Sequence, residues 1–338
     1  MTSSGERVEL AHGAGGRVMA DLIDRTFKRA FANDLLARGE DQAVFTPPPG
    51  RLAMTTDGFV VSPLFFPGGD IGSLAVYGTV NDLAVGGARP LHVSAGFILE
   101  EGFPLADLER LVASMAAAAN EAGVGIVTGD TKVVERGKGD GVFITTTGLG
   151  VVPDVVRLGI ERIEPGDAVV VSGTLGDHGV AIMSKRSGLA FTTEIRSDSA
   201  PLHGLVAAML DAAPNIRCMR DPTRGGLAAT LNEITAQRRL GVVLEENGMP
   251  IRPEVRGACE LLGLDPLYVA NEGKLVAFCP DDDADRLVQV MRAHPQGVDA
   301  ARIGTVSDDP AGLVELVTSF GGRRVVDWLA GEQLPRIC

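Results

Sequence analysis

Apolar and polar positions along this chain follow two periods. The stretch GRVMADLIDRTFKRAFAN (16–33) sets Val18, Met19, Leu22, Ile23, Phe27, Ala30 and Phe31 on one face of a helix. TPPPG (46–50) stops it, since proline has no N–H and disfavours a helical residue before it. RLAMTTDGFVV (51–61) reads as a strand running into a turn at Asp57-Gly58. IGSLAVYGTVNDLAVGG (71–87) reads as a helix of small residues suited to close packing on a sheet. LHVSAGFILE (91–100) is a strand, PLADLERLVASMAAAANEAG (104–123) a helix, GVGIVTGD (123–130) a strand leading into a loop, and GVFITTTGLGVV (141–152) another strand.

The pattern breaks over VPDVVRLGIERIEPGD (152–167) and then resumes. AVVVSGTLGDHG is a strand and loop, PLHGLVAAMLDAA and GGLAATLNEITAQR are helices, GVVLEE a strand, PEVRGACELLG a helix, KLVAFC a strand and DADRLVQVMRAH a helix, with short strands after it. The expected class is α/β with mixed (α+β) sheets. The expected organisation is an N-terminal Gly-rich segment and helix (1–40), a first domain (41–152), a second α/β domain (153–330) and a tail (331–338). At 338 residues, two domains are the default.

Composition narrows the function. With 45% hydrophobic and 22% charged residues the chain has the make-up of a soluble globular protein, and no apolar run is long enough to span a bilayer. A net charge of −13 argues against nucleic acid and anionic membrane surfaces, and requires metal ions or local basic groups wherever a polyanion binds. MTSSGERVEL has no hydrophobic signal region, and the cysteines at 218, 259, 279 and 338 show neither CxxC nor zinc spacing. A reduced, cytoplasmic protein is the simplest expectation. Cys338 is then a free thiol on the last residue of the sequence, where the backbone is least held.

Six short stretches place acids beside Gly, Thr or Asn at element ends: AHGAGG (11–16), TTDGF (55–59), VNDLAV (80–85), TGDTKVV (128–134), RDPTRGG (220–226) and ANEGK (270–274). In AHGAGG, free N–H groups at Gly13, Gly15 and Gly16 ahead of a helix suit a phosphate, although a plain N-terminal turn gives the same pattern. Asp57, Asp82, Asp130 and Asp221 suit a Mg²⁺–phosphate site that leaves room for water; singly, each reads equally as an Asx turn or a helix cap. Asp82 is the exception, since it lies inside an apolar helical pattern, needs no capping role there, and so needs a partner. Lys132 follows Asp130 by two residues, which puts both on one side of an extended chain as a phosphate partner or a surface ion pair. Glu272, next to Asn271, is a general base or a turn residue.

Taken together, TTDGF with VNDLAV, GDTKVV, DPTRGG and ANEGK resemble the superfamily of aminoimidazole ribonucleotide synthetase, selenophosphate synthetase and thiamine-monophosphate kinase. HGAGG, TTDGFVVSPLFFPGGDIG and the final PRIC resemble, within it, the HypE family of hydrogenase maturation factors over essentially the whole chain. The resemblance implies a two-domain aminoimidazole-ribonucleotide-synthetase-like fold with a flexible tail, residues 41–152 forming an ATP-binding and dimerisation domain. It implies a terminal cysteine that accepts a carbamoyl group from a HypF-type carbamoyltransferase, ATP-dependent dehydration of that group to a thiocyanate, and delivery of cyanide to a HypC–HypD iron scaffold for the Fe(CN)₂CO centre of [NiFe]-hydrogenase. ATP and Mg²⁺ are the implied cofactors and a homodimer the implied assembly. On this footing Cys338 is the acceptor, Asp57, Asp82 and Asp221 hold metal, and Gly13, Gly15, Gly16, Thr56, Asp57, Asp82, Gly129, Asp130 and Thr131 bind nucleotide. Lys132 steadies charge on the phosphorylated oxygen, Glu272 takes the amide proton and Asn271 orients the carboxamide. The nine residues from Leu329 to Cys338 extend over roughly 30 Å, with Gly331 for flexibility and Pro335 stiffening the last turn. A selenophosphate-synthetase-like enzyme and a non-catalytic thiol carrier are the alternatives. The first calls for a reactive Cys near the N-terminus, where there is none before residue 218; the second has no use for an acidic cluster.

Overall fold

Strand-forming alternation and small-residue helices produce two layers of helix on sheet. The computed structural model describes residues 5–188, 195–213, 215–329, 331 and 336–338. The first half contains α1 (Arg17–Leu22), β1 (Arg51–Phe59), β2 (Phe65–Phe66), β3 (Gly69–Asp70), α2 (Ile71–Val85), β4 (Arg89–Glu100), α3 (Leu105–Glu121), β5 (Gly125–Val134) and β6 (Val142–Val152). Its main sheet has the order β1-β6-β4-β5, with β4 and β5 parallel and the other pairs antiparallel. The second half contains β7 (Ala168–Val171), α4 (Asp177–Ser187), α5 (His203–Ala212), β8 (Cys218–Arg220), α6 (Gly226–Arg238), β9 (Gly241–Glu245), α7 (Pro253–Leu262), β10 (Val276–Cys279), α8 (Asp281–Arg292), β11 (Ala301–Ser307), β12 (Val314–Val317) and β13 (Arg323–Val325). Here seven strands lie in the order β13-β12-β9-β11-β7-β10-β8. Both sheets are mixed, as the sequence pattern predicts.

Helix α2 joins the halves. Asp70 caps it, its Oδ1 accepting from the amides of Gly72 and Ser73 at 2.9 and 3.1 Å. Of its residues, only Asp82 escapes burial. The small residues make this possible: a Cβ at Gly72 would stand 2.4 Å from the Leu111 carbonyl of α3. Ala84 and Val85, at its far end, pack in the apolar cluster of Leu202, Leu205, Met209 and Met219 from the second half. A helix enclosed on all sides holds its polar residues to fixed positions, which matters for Asn81 and Asp82.

Three sequence expectations change. The strand does not turn at Asp57-Gly58: β1 continues to Phe59 in register with β6, Asp57 opposite Thr146 and Gly58 opposite Thr145. The ladder with β6 outweighs the local turn preference of Asp-Gly. Likewise β5 does not become a loop at Asp130 but runs to Val134, and a Cβ at Gly129 would meet the Ala95 carbonyl of β4 at 2.2 Å. The N-terminal helix widens into a π-helical stretch at Ile23–Lys28, which resets its period; Phe27 and Phe31 are buried while Val18 stays exposed. Among the described residues, no helix is long and apolar enough to cross a membrane.

Candidate active site

Asp57, Asp82, Asp221, Arg224, Glu272 and Cys338 line one small cavity of about 140 Å³ where the two halves meet. β1 brings Asp57, α2 brings Asp82, the segment after β8 brings Asp221 and Arg224, and the segment before β10 brings Glu272. The three metal-ligand candidates, the base candidate and the acceptor thiol are thus assembled from stretches up to 281 residues apart, the distance from Asp57 to Cys338.

The partner that Asp82 requires is Thr55, whose Oγ1 donates to Asp82 Oδ2 at 2.6 Å. Next to it, Asn81 makes three bonds across the interface. Its Nδ2 donates to the carbonyls of Ala200 and Glu272 at 3.0 Å each, and its Oδ1 accepts from the Leu202 amide at 2.8 Å. α2 therefore fixes both the Asp82 carboxylate and the backbone of Glu272.

Crowded acids in a dry cleft raise one another. Burial, reinforced by Asp82 and opposed by Arg224, pushes the Asp57 carboxyl up to about 6. Burial and Asp82 also push Asp221 upward. Glu272 lies well above the ordinary carboxylate range because it is enclosed, with Asp198 and Asp221 adding to the effect. Its Oε1 has no hydrogen-bond partner among the described residues, so it is free to accept from whatever enters the cavity.

Residues 336–338 dock inward and carry the thiol to this cavity; 332–335, including Pro335, lie outside the described residues. The amides of Val60 and Ser62 donate to the carbonyls of Cys338 and Arg336, both at 3.1 Å, so the segment pairs with the chain beyond β1. Ile337 is buried in the first core, and Arg336 forms an ion pair with Asp140. Arg224 Nη2 stands 3.6 Å from Cys338 Sγ. Burial, then the charge of Glu272, pushes the thiol up to about 11 despite Arg224, so the docked sulfur is neutral.

Several expected residues lie elsewhere. Lys132 is ion-paired with Asp130 at 2.6 Å on edge strand β5, both more than 60% exposed, and the structure does not bring it to Glu272. The strand direction that places Lys132 beside Asp130 also turns it out to solvent. Gly13 packs on Val133 of the same strand, its Cβ position 2.9 Å from Val133 Cβ, while Gly15 and Gly16 are open. Thr56 Oγ1 donates to the Thr146 carbonyl. Gly129, Asp130 and Thr131 line a separate cavity of about 340 Å³ with Phe27, Phe31 and Phe97. Asn271 does not face the acceptor: its Nδ2 donates to the carbonyls of Pro222 and Val269 and its Oδ1 accepts from the Gly176 amide, which leaves it a loop clip. Arg224 is the cation at the thiol, and the sequence reading missed it although DPTRGG was singled out; a basic residue in an acidic chain next to Asp221 was the available signal.

Among the described residues, no three His, Cys, Asp or Glu side chains stand together closely enough to hold a metal alone. Asp57, Asp82 and Asp221 nonetheless fit Mg²⁺, a cation that takes one or two carboxylates and completes its shell with water and phosphate oxygens. The charge of Asp82, which with burial raises the pKa of Asp57 and of Asp221, is the repulsion that such a cation relieves.

Comparison with known proteins identifies the family. The models for the N-terminal and C-terminal domains of AIR synthase related proteins match residues 39–152 and 164–316. The carbamoyl dehydratase HypE of Azotobacter vinelandii is 64% identical over 331 residues, covering 98% of this chain and 97% of that protein. A crystal structure of the hydrogenase maturation protein HypE in complex with ATP superposes with a TM-score of 0.94 at 50% identity, covering 97% of this chain and 99% of that one. A HypE–HypF complex structure matches with a TM-score of 0.80 at 46% identity over 93% of this chain and 100% of that one. Identity of 64% to a HypE over 98% of this chain, on two AIR synthase related domains, places this chain in the HypE family of carbamoyl dehydratases.

Proposed function

We propose that this chain uses ATP to dehydrate a carbamoyl group carried on Cys338, giving S-cyanocysteine whose cyanide serves [NiFe]-hydrogenase maturation. The observation that carries the reading is the docking of Cys338 in the cavity that holds Glu272 and the three aspartates. The docked thiol is neutral, which suits a tether and not an attacking group; carbamoylation belongs to the undocked tail, in a transferase of the HypF kind.

The chemistry follows from the leaving group. The amide oxygen of the thiocarbamate takes the γ-phosphoryl of ATP, the bond to ADP breaks, and a poor leaving group becomes phosphate. The nitrogen then loses two protons as the C–O bond breaks, leaving a C≡N bond on sulfur and releasing phosphate. Glu272 in its ionised form accepts an N–H proton, its unpartnered Oε1 aimed into the cavity, and the cations brought by Arg224 and Mg²⁺ would favour that form. Arg224 faces the sulfur and the charge developing on the oxygen. Asp57, Asp82 and Asp221 would hold Mg²⁺, which supplies charge neutralisation for the phosphates. The cavity beside Gly129, Asp130 and Thr131, walled by aromatic side chains, is of a size to take the nucleotide base. Gly13, packed on Val133, and Lys132 lie along that edge of the sheet, and Gly15 and Gly16 follow Gly13 with open space over them for phosphate.

The outer face of the first sheet favours a homodimer. Leu52, Met54 and Ile98 are exposed there, with Met54 at 73%. A second copy covering this face brings the Lys132 edge of one protomer next to another chain. Residues 41–152 are then the nucleotide-binding and dimerisation domain, 153–330 the domain that closes the cleft, and 331–338 the carrier; the cyanide passes to a HypC–HypD iron scaffold.

Incubation with the transferase, carbamoyl phosphate and Mg-ATP, followed by mass spectrometry of the C-terminal peptide, tests this. The expected result is a carbamoyl adduct on Cys338 that loses water only with ATP. Modification of Cys218, Cys259 or Cys279 with Cys338 untouched overturns it.

A further inference from the structure

His178 is a fully enclosed titratable group outside the acidic cavity, and it faces the docked tail. It lies in the first turn of α4, edge-on to the Phe66 ring at a centroid distance of 5.6 Å. Its nitrogens have different partners: Nε2 is 2.8 Å from the Ile337 carbonyl and Nδ1 is 2.8 Å from Ser197 Oγ. A carbonyl only accepts, so Nε2 carries the proton, and the neutral ring leaves Nδ1 to accept from the serine hydroxyl. Ser197 Oγ in turn accepts from the Ser199 amide at 3.1 Å. Burial keeps the ring below its ordinary pKa and so neutral, and the Ile337 carbonyl then sets the tautomer.

Ile337 immediately precedes the acceptor cysteine. Its side chain is buried against α4, where a Cβ at Gly179 would stand 3.2 Å from Ile337 Cδ1. Strand pairing with Val60 and Ser62 sets the tail's direction and register through backbone groups. His178 adds a side-chain donor that is satisfied by the tail only when the tail is docked. On its other side, the segment that orients His178 also holds the base: Asp198 Oδ1 accepts from the Glu272 amide at 3.1 Å, and its Oδ2 lies 3.3 Å from Lys274 Nζ.

We propose that His178 is a positioning residue for the dehydration step. Its Nε2–H latches the Ile337 carbonyl and so places the Cys338 adduct in the cavity, while Ser197 ties the latched ring to the segment that carries Asp198 and the Glu272 backbone. Docking of the tail and placement of the base are then one event. The inference rests on the dehydratase reading. When the tail leaves, a buried donor loses its acceptor, a cost that biases the tail inward by roughly tenfold.

The test uses the full chain with His178→Leu, His178→Gln and Ser197→Ala. Two rates are read: alkylation of Cys338 by iodoacetamide without nucleotide, located by peptide mass spectrometry, and single-turnover dehydration of carbamoylated chain. ATP binding and the melting temperature report on the fold. His178→Leu is expected to speed alkylation about tenfold and slow dehydration by a similar factor. His178→Gln, whose amide N–H reaches the position of Nε2, is expected to restore most of both, and Ser197→Ala to fall between. A purely packing role predicts that Gln is no better than Leu, and that result overturns the proposal, as does unchanged alkylation in His178→Leu. If His178→Leu does not fold, wild-type rates in Ser197→Ala overturn it. Should wild-type chain never form the cyano adduct, the dehydratase reading fails while the alkylation arm still decides the latch.

Discussion

Asp57 in TTDG and Asp130 in TGDT look alike: each is a carboxylate among threonine and glycine, and each lies on a strand of the same sheet. Their environments drive them apart. Asp57 opens into the cleft under α2, where burial and Asp82 push it up to about 6. Asp130 sits on the edge strand, where Lys132 and the Thr131 amide hold it below the usual carboxylate range. One is a charge that needs a cation; the other already has one. The lesson is that two acids in look-alike motifs diverge according to whether anything packs over their strand: Asp57 is enclosed among other acids, while Asp130 is left at an exposed edge with only its sequence neighbours to pair with.

The largest effects should come from the cleft. Asp82→Asn is expected to cut Mg-dependent ATP turnover more than ~100-fold with the melting temperature preserved. Glu272→Gln is expected to slow formation of the cyano adduct on a comparable scale with ATP binding retained. Wild-type phosphate release by the first variant, or wild-type dehydration by the second, removes the residue from its role. Next in size is Met54→Glu, which buries a charge on the outer face of the sheet if a second copy covers it. Light scattering should show a shift from dimer to monomer, and an unchanged mass would place the dimer contact elsewhere.

The comparison itself predicts opposite signs for the two aspartates. Asp57 has a folded pKa above its unfolded one. Folding therefore loses stability as pH rises from about 4 through about 6, since the folded state binds the proton more tightly. Metal-free Asp57→Asn should accordingly gain about 1 kcal/mol at pH 8 and nothing at pH 4, measured by denaturant titration, after allowance for partial exposure. Asp130 is depressed, so its contribution is present above the unfolded pKa and lost as pH falls. It is well exposed, and Asp130→Asn should cost only a few tenths of a kcal/mol at pH 7. Equal responses of the two variants would break the distinction.

Much of the framework was legible. The small-residue helix over 71–87, the mixed sheets on either side of 152–167 and the terminal thiol all follow from periodicity, composition and position. Asp82 stood out because an acid inside an apolar helix needs a partner, and Thr55 is that partner. Other readings failed for physical reasons. Asp57-Gly58 reads locally as a turn, but a full ladder with β6 holds it extended. Lys132 beside Asp130 reads as either a phosphate partner or a surface ion pair, and the exposed edge of the sheet makes it an ion pair, a choice that the sequence spacing could not make. Asn271 beside Glu272 reads as substrate-facing, but three backbone groups claim its side chain.

By itself the sequence determined which segments become helix and strand, that the chain is acidic and built from small residues, and that its aspartates, its glutamate and its last cysteine are the groups with chemistry to offer. These are local matters of period, volume and charge. Only the tertiary structure decided which acids share a cleft, that Arg224 reaches the thiol, and that Asn81 bonds the Glu272 backbone and His178 the Ile337 carbonyl. Those facts depend on residues hundreds of positions apart meeting across α2, and on the low dielectric that their meeting creates; neither is a property of any single stretch of chain.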